Sequence, residues 1–352
     1  MSVPKLLRAV HEDDLLHVFR LLPEDVWHGL AGRRIFLTGG TGFVGKWLLA
    51  TLDYVNRHLG LGVHTTILSR NPSTFSAEAP TLAQADGIKW LQGDVRNFVF
   101  PEGEYDTIIH AATDVVARTT PEDIFDTCTE GTRHVLAFAE RANVQDFLLV
   151  SSGAVYGRQP VDLLCVPESY FGAPDPLLPS SAYGEGKRVS EWLTVAAGAR
   201  TGLRVRVARC FTFVGPYLPL DKHFAIGNFI GAALDGREIV IHGDGTPLRS
   251  YLYAADMAAW LWAVLLKGRP GAAYNVGSDM AISISELAYR VCRVLEVSAQ
   301  VRVMNTPKSS QLVERYVPDH SLVRRELGLA MPIMLDEAIT RTVSWHRSDH
   351  RP

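Results

Sequence analysis

Residues Ile35 to Gly45 read I-F-L-T-G-G-T-G-F-V-G, and no other stretch limits the folds open to this chain so strongly. The apolar run Ile35-Phe36-Leu37 has the length of a short buried strand. It breaks at Thr38 into Gly40, Gly42 and Gly45, spaced G-x-G-x-x-G, and apolar residues at helical spacing follow (Val44, Trp47, Leu48, Leu52). In a dinucleotide site one glycine permits the tight strand-to-helix turn. A second lets the backbone approach a pyrophosphate, and a third lets helix and strand pack closely. The first N–H groups of the helix, from Phe43 and Val44 onward, then face the phosphates with the positive end of the helix dipole. Glycine-rich turns are common, so the spacing alone is weak. Its place between a strand pattern and a helix pattern is the context the motif requires. Gly39 adds a second register, G-x-x-G-x-x-G.

From Arg34 onward, strand and helix patterns alternate, which predicts a parallel sheet covered on both faces. Expected strands are Thr65–Leu68, Ile88–Leu91, Thr107–Ile109, Phe147–Ser152 and Leu203–Ala208, with helices over about 124–141 and from Tyr183. In such a doubly wound sheet, ligands sit at the carboxyl ends of the strands. Beyond Gly215-Pro216 the alternation fails. Short strands (Ile239–Ile241, Tyr251–Tyr253, Ala273–Val276) mix there with helices near 225–234, 255–266, 284–294 and 335–345, which predicts a smaller mixed lobe over the ligand edge. Residues 1–31, with leucines and valines at helical spacing among charges, predict one or two amphipathic helices ahead of the sheet. The Pro-rich segment from Pro167 to Pro179 is long enough to form a functional rim.

Composition excludes several classes. With 47% apolar and 21% charged residues, the chain is an ordinary globular protein, and its net charge of −3 gives no reason to expect nucleic acid or an anionic membrane as partner. Cys128, Cys165, Cys210 and Cys292 lie far apart with no C-x-x-C pair, so neither a metal site nor a disulfide framework is expected. The start carries no signal-peptide pattern, and the apolar run Met257–Leu266 is too short to span a bilayer. A cytoplasmic protein is the expectation.

Chemistry-bearing residues fall at the strand ends. After the second strand, Ser69-Arg70 stands where a carboxylate would bind the adenosine ribose of NAD, whereas an arginine accommodates the 2′-phosphate of NADP. NADP is therefore preferred and NAD is the alternative. Tyr183 and Lys187, spaced Y-x-x-x-K, share one face of a helix, and an ammonium near a phenol is expected to lower the phenol pKa from about 10. Tyr183 is then a candidate acid/base for a hydroxyl, with Ser152 at a strand end bonding the same oxygen. Glu185, on another face, reads as a surface charge, and Trp260 and Trp262 read as core. His110 ends a strand, a place where histidine is more often packed than catalytic. Arg249, opening a strand of the second lobe, has the fork geometry to clamp a diphosphate.

T-G-G-T-G-F-V-G, S-S-G-A-V-Y-G at 151–157, Y-G-E-G-K and H-G-D-G-T-P-L-R-S-Y-L-Y-A-A-D at 242–256 together resemble the extended short-chain dehydrogenase/reductases, specifically the nucleotide-sugar epimerase/dehydratase family. The resemblance spans roughly residues 33–346 and includes E-R-Y-V-P-D followed by L-G-L. It implies an α/β fold: a Rossmann-type doubly wound sheet over residues 32–215 and a nucleotide-sugar-binding lobe over 216–352, with some segments interleaved. It further implies Gly39, Gly42 and Gly45 at the pyrophosphate, Asp94 and Val95 near adenine, and Ala111 and Ala112 along the cofactor. Ser152, Tyr183 and Lys187 are implied in catalysis, and Arg249, Asn275 and Arg315 near the diphosphate of the sugar donor. Homodimers formed through two helices per subunit are the family's usual assembly.

Departures from the family pattern narrow the reaction. The 4,6-dehydratases similar to this chain place an Asp-Glu pair after the catalytic Ser/Thr to move protons at C5 and C6. Here those positions are Gly153 and Ala154, which transfer no protons. The usual Asn before the G-P turn corresponds to Thr212, and another on the fourth helix to Cys128. A Ser/Tyr/Lys set without extra carboxylates suffices for hydride transfer coupled to proton transfer at a carbinol carbon. Two enzymes are built on that: a 4-ketoreductase using NADPH on a nucleotide-linked 4-keto-6-deoxyhexose, and a 4-epimerase recycling NAD⁺. Arg70 ranks the reductase first, the epimerase close behind and the dehydratase third. A non-catalytic, cofactor-sensing protein on this fold would not need the intact Ser152, Tyr183 and Lys187.

Overall fold

The computed structural model describes residues 6–113, 120–222, 224–306, 312–329 and 332–347. Its centre is a seven-stranded sheet. Six strands come from the first two thirds of the chain: β1 (Arg34–Thr38), β2 (His64–Ser69), β3 (Ile88–Gln92), β4 (Thr107–His110), β5 (Asp146–Ser152) and β6 (Arg204–Cys210). Their spatial order is β6-β5-β4-β1-β2-β3, with every pairing parallel. The order reverses between β1 and β4, which opens a crevice at their carboxyl ends. β5 is buried along its whole length, as expected for an inner strand covered on both faces.

The seventh strand corrects the expected layout. Ala273–Val276, read from the sequence as part of the smaller lobe, pairs in parallel with β6 and extends the main sheet. The helix before it, Ala254–Lys267, is buried from Ala254 to Leu265, Trp260 and Trp262 included. A helix that is apolar all round belongs in a core. No helix among the described residues is long and apolar enough to cross a membrane.

The sequence patterns for the flanking helices have clear endpoints. α1 (Glu12–Leu21) and α2 (Glu24–His28) are the helices expected ahead of the sheet, and they are docked. Asp14 of α1 is buried and accepts from Tyr253 and Arg341 at 2.7 Å each, while His17 meets Asp256 at 2.8 Å. α3 (Phe43–Leu59) ends at Gly60, whose φ of 62° is the left-handed cap geometry that glycine adopts without strain. α4 (Pro72–Glu78) and α5 (Pro80–Ala83) bridge β2 and β3. α6 (Pro121–Arg141) starts with Thr120 accepting from the Asp123 amide and Pro121 in the first turn. It packs side by side with α7 (Ala182–Thr201).

Over the carboxyl edge lies a set of short strands. Leu248–Arg249 forms a three-stranded sheet with Ile282–Ser283 and Arg315–Tyr316. Phe213–Val214 pairs with Leu252–Tyr253, and Ile239–Ile241 with Val301–Val303. The expected strand Tyr251–Tyr253 is thus shorter by one residue. The Pro-rich segment is tied to the sheet near its start and to α7 in its middle. Glu168 accepts from the Asn275 amide at 2.8 Å, and Arg188 donates to the Gly172 carbonyl at 3.0 Å.

Candidate active site

The glycine turn between β1 and α3 is shaped by close backbone approach. Gly39 has φ 74°, and a Cβ there would stand 2.6 Å from the Ala111 carbonyl carbon and oxygen and 2.8 Å from the Ala112 nitrogen. At Gly45 a Cβ would lie 2.5 Å from the Gly40 Cα and collide with the Gly39 carbonyl oxygen. Gly39 therefore lets the turn abut β4, and Gly45 lets α3 abut the turn. Gly42 caps α3 with no side-chain bond to the first turn, so the cap itself leaves the Phe43 and Val44 amides available. This small-residue cradle at the head of a helix, beside Ala111 and Ala112, fits a dinucleotide pyrophosphate.

At the end of β2, Ser69 Oγ accepts from the Asn71 amide at 3.2 Å and Arg70 is exposed. Asp94 is occupied by Arg96, which holds it at 2.9 and 3.1 Å and keeps the carboxyl below its usual range. Val95 is buried against Gly131, where a Cβ would come within 2.9 Å of its Cγ1.

Behind the cradle runs a relay of hydrogen bonds with one consistent direction. Thr38 Oγ1 accepts from the Ala112 amide at 3.1 Å and lies 2.8 Å from His110 Nδ1. His110 Nε2 lies 3.0 Å from Thr132 Oγ1, which donates to Ser190 Oγ at 3.1 Å. Neutral imidazole with its proton on Nε2 satisfies every link. Burial, with the nearby Lys187 charge, pushes His110 down to about 3, which fixes that neutral form. The histidine is thus a packed one that joins β1, β4, α6 and α7.

β5 and α7 bring the expected catalytic residues together. Ser152 ends β5, is 5% exposed, and its Oγ accepts from the Ala154 amide at 3.1 Å. It also acts on the Tyr183 phenol, whose pKa it works to lower. Lys187 is buried one turn along α7 and donates to the Val150 carbonyl at 2.8 Å. The expected downward shift of Tyr183 is not found. Burial pushes the phenol above its ordinary value, and Ser152 only partly opposes this. Burial likewise lowers Lys187, whose charge is directed at a carbonyl of β5. Cys128, in place of the family's usual Asn, is buried against Gly186, where a Cβ would come within 2.8 Å of the cysteine Cβ.

Gly153 explains why no carboxylate stands beside Ser152. A Cβ at this position would lie 2.6 to 2.8 Å from three atoms of the Phe211 ring. That ring rests against Tyr316, with centroids 4.6 Å apart, and the Tyr316 hydroxyl comes within 3.4 Å of Ser152 Oγ. The space an acidic side chain would need is filled with aromatic carbon. Sequence reasoning missed both aromatics. Tyr316 stands inside the quoted E-R-Y-V-P-D pattern, but its 164-residue separation from Ser152 leaves no local signal.

Of the residues expected near the diphosphate, Arg249 is half-buried and donates to Glu314 at 2.6 Å and to the Leu248 carbonyl at 3.0 Å. Arg315, on the neighbouring strand, reaches the Leu164 carbonyl at 3.5 Å. Asn275 does not join them. It is fully buried: its Nδ2 donates to the Val166 and Asp319 carbonyls at 2.9 and 3.0 Å, and its Oδ1 accepts from Tyr156 at 2.8 Å. In this structure it ties the Ala273–Val276 strand to the backbone at Val166 and Asp319. The Tyr156 hydroxyl in turn accepts from Arg209, which is paired with Glu191 at 2.7 Å, and Glu191 accepts from Ser151 at 2.6 Å. This network under the site was also missed, since its members come from four separate elements.

Residues 35–277 match the model of the NAD dependent epimerase/dehydratase family, from the glycine turn to the seventh strand. The chain belongs to this family. Among its relatives is UDP-glucuronic acid decarboxylase 6 of Arabidopsis thaliana, 30% identical over 315 residues, covering 87% of this chain and 86% of the relative. A dTDP-glucose 4,6-dehydratase of Streptomyces niveus is 26% identical over 332 residues, 90% of this chain and 93% of the relative. The solved structure of DesIV, a dTDP-glucose 4,6-dehydratase from Streptomyces venezuelae with NAD bound, superposes with a TM-score of 0.73. It is 26% identical, over 90% of this chain and 97% of that one. A nicotinamide dinucleotide is the family's cofactor, and the cradle of Gly39, Gly42 and Gly45 fits it.

Proposed function

We propose that this chain transfers hydride at C4 of a nucleotide-linked sugar, reducing a 4-keto-6-deoxyhexose with NADPH. Relatives named for UDP-glucuronic acid and dTDP-glucose support a nucleotide sugar as the substrate class. The observation that carries the reaction type is the Ser152–Tyr183 pair beside a Gly153 whose side-chain space is filled by Phe211. The bound dinucleotide supplies the hydride. Ser152 and Tyr183 hold the ketone oxygen, and Tyr183, kept protonated by burial, gives its proton to the alkoxide as it forms. Lys187 supports the loss of that proton from the same helix face. Gly153 and Ala154 offer no acid or base for a proton at a second carbon, which counts against dehydration. Arg70, in place of a carboxylate at the end of β2, supports NADPH over NADH. Arg249 is the proposed diphosphate clamp, released from Glu314 when substrate enters. Assembly as a cytoplasmic homodimer belongs to the same reading, with the exposed Trp192 and Val195 of α7 as contact residues.

A second reading is an enzyme that recycles its dinucleotide in place, as a 4-epimerase does, and relatives named as decarboxylases and dehydratases favour it. One experiment separates the two. The purified protein is denatured and any released dinucleotide identified, and the native protein is then assayed with dTDP-4-keto-6-deoxyglucose and NADPH. A site that arrives empty and oxidises NADPH in the presence of that ketone is the expected result. Stoichiometric release of NAD⁺, with no net NADPH oxidation, overturns the reductase in favour of in-place recycling.

A further inference from the structure

Tyr316 reaches the catalytic serine from the far end of the chain. The Arg315–Tyr316 strand pairs in parallel with Leu248–Arg249, which places Tyr316 opposite Arg249. Its ring is set against Phe211, 4.6 Å between centroids at 38°, and its hydroxyl stands 3.4 Å from Ser152 Oγ. A serine oxygen has one proton and two lone pairs. One lone pair of Ser152 already accepts from the Ala154 amide at 3.1 Å. A second donor leaves the serine nothing to offer but its own proton. Burial pushes the Tyr316 phenol up to about 12, so it stays protonated across the neutral range and acts as that donor.

We propose that Tyr316 is a positioning residue whose O–H donates to Ser152 Oγ and turns the serine proton toward Tyr183 and the substrate oxygen. This rests on Ser152 and Tyr183 acting as set out under the proposed function. The 3.4 Å approach is long for an O–H···O bond, and such contacts tighten when substrate closes a site. The strand pairing gives the closure a route, because a diphosphate drawn to Arg249 acts on the strand beside Tyr316. The catalytic site is then completed by the small lobe.

The groups facing this cluster are Lys187 and Glu191 on α7 with Tyr183, Cys128 from α6, Cys210 from β6, and Arg249 beside Tyr316. A serine proton given to Tyr183 works to lower the Tyr183 pKa, the direction in which Ser152 acts on it, whereas Tyr316 as a mere neighbouring phenol works to raise it. The two roles therefore predict opposite signs when the Tyr316 hydroxyl is removed.

The test uses protein in which every tyrosine is replaced by a fluorinated, more acidic tyrosine, so that phenols ionise while the protein stays folded. Difference titration against Tyr183→Phe isolates Tyr183 in the parent, in Tyr316→Phe, in Ser152→Ala and in the double variant, with NADPH binding as the check on folding. In Tyr316→Phe the Tyr183 titration is expected to move up by roughly half a unit or more. In the Ser152→Ala background Tyr316→Phe is expected to add nothing. Turnover of dTDP-4-keto-6-deoxyglucose by Tyr316→Phe of ordinary composition is expected to fall about 3- to 10-fold, the size of one lost hydrogen bond. A titration that is unchanged or lowered in Tyr316→Phe, or shifted equally in the Ser152→Ala background, overturns the assignment. The titration needs no substrate, so a parent enzyme inert toward that ketone counts against the proposed function and leaves the Tyr316 result to stand by itself.

Discussion

Placing an aspartate at position 153 tests the reason given for the missing carboxylate. The Cβ of Gly153→Asp would fall 2.6 to 2.8 Å from three Phe211 ring atoms, well inside ordinary contact, before any carboxylate oxygen is added. Phe211 cannot simply turn aside, because it is buried between Gly153, Gly277 and the Tyr316 ring. Overpacking of this kind costs about 1–3 kcal/mol, and a carboxylate buried among aromatics adds a desolvation cost of at least that order. Gly153→Asp should therefore lower stability in urea by about 2–5 kcal/mol and displace Tyr316 from Ser152. Phe211→Ala alone should cost about 3–5 kcal/mol through the cavity it leaves. In the double variant the aspartate occupies that cavity, so the combined loss should fall short of the sum by at least ~1 kcal/mol. Urea unfolding of the four proteins measures each term, and the same samples are assayed for dehydration of dTDP-glucose. If Gly153→Asp unfolds at the parent's urea midpoint, or if the two losses simply add, the ring does not fill the space and the structural case against dehydration is lost.

Three further outcomes are expected. Tyr183→Phe should reduce turnover by about 10²- to 10⁴-fold with dinucleotide affinity nearly unchanged, and equal activity in that variant would remove the catalytic assignment. Arg70→Ala should weaken NADP by roughly 10-fold and NAD far less, read by fluorescence titration; equal losses would show that Arg70 does not select the cofactor. Asp146, buried at the head of β5, carries an acid-stability signature. Burial works to raise its pKa, but hydrogen bonds and charges from Arg204 and Arg206 outweigh this and hold it at about 2 against a usual 3.8. A depressed carboxylate contributes stability that is fully present above its unfolded pKa and is lost as pH falls through the folded one. That contribution is about 2–3 kcal/mol at neutral pH, disappearing between about pH 4 and pH 2. Asp146→Asn should lose more than this at pH 7, because it leaves Arg206 buried without its partner carboxylate, and it should flatten the acid limb of a stability–pH curve.

Local sequence determined the cradle and its neighbours because each signal lies within a few residues. The strand Ile35–Leu37 and the glycines up to Gly45 have mechanical jobs settled by backbone sterics over a single turn. Tyr183 and Lys187 share a helix face because of the 3.6-residue period, and the parallel pairing of the sheet follows from alternating strands and helices. The buried helix around Trp260 and Trp262 was legible from its continuous apolar run. Less was legible where a residue's role depends on what comes to meet it. Asn275, at the end of a strand in a family pattern, looked like a substrate contact, yet folding surrounds it with the Val166 and Asp319 carbonyls and the Tyr156 hydroxyl. The short strands Arg315–Tyr316 and Leu248–Arg249 have two residues each, too few for any periodicity, and exist only because they pair. Ala273–Val276 gave a strand signal but no address, since a seventh strand beside β6 and a strand of a separate lobe have the same local pattern. The sign of the Tyr183 shift was decided by burial and by the carbonyl of Val150 drawing Lys187 onto β5, neither of which one helix turn can specify. By itself the sequence determined the fold and the residues that it gathers at the candidate site. Tertiary structure alone decided what stands beside them, because Phe211 and Tyr316 reach Gly153 and Ser152 across gaps of 58 and 164 residues that only the packed core closes.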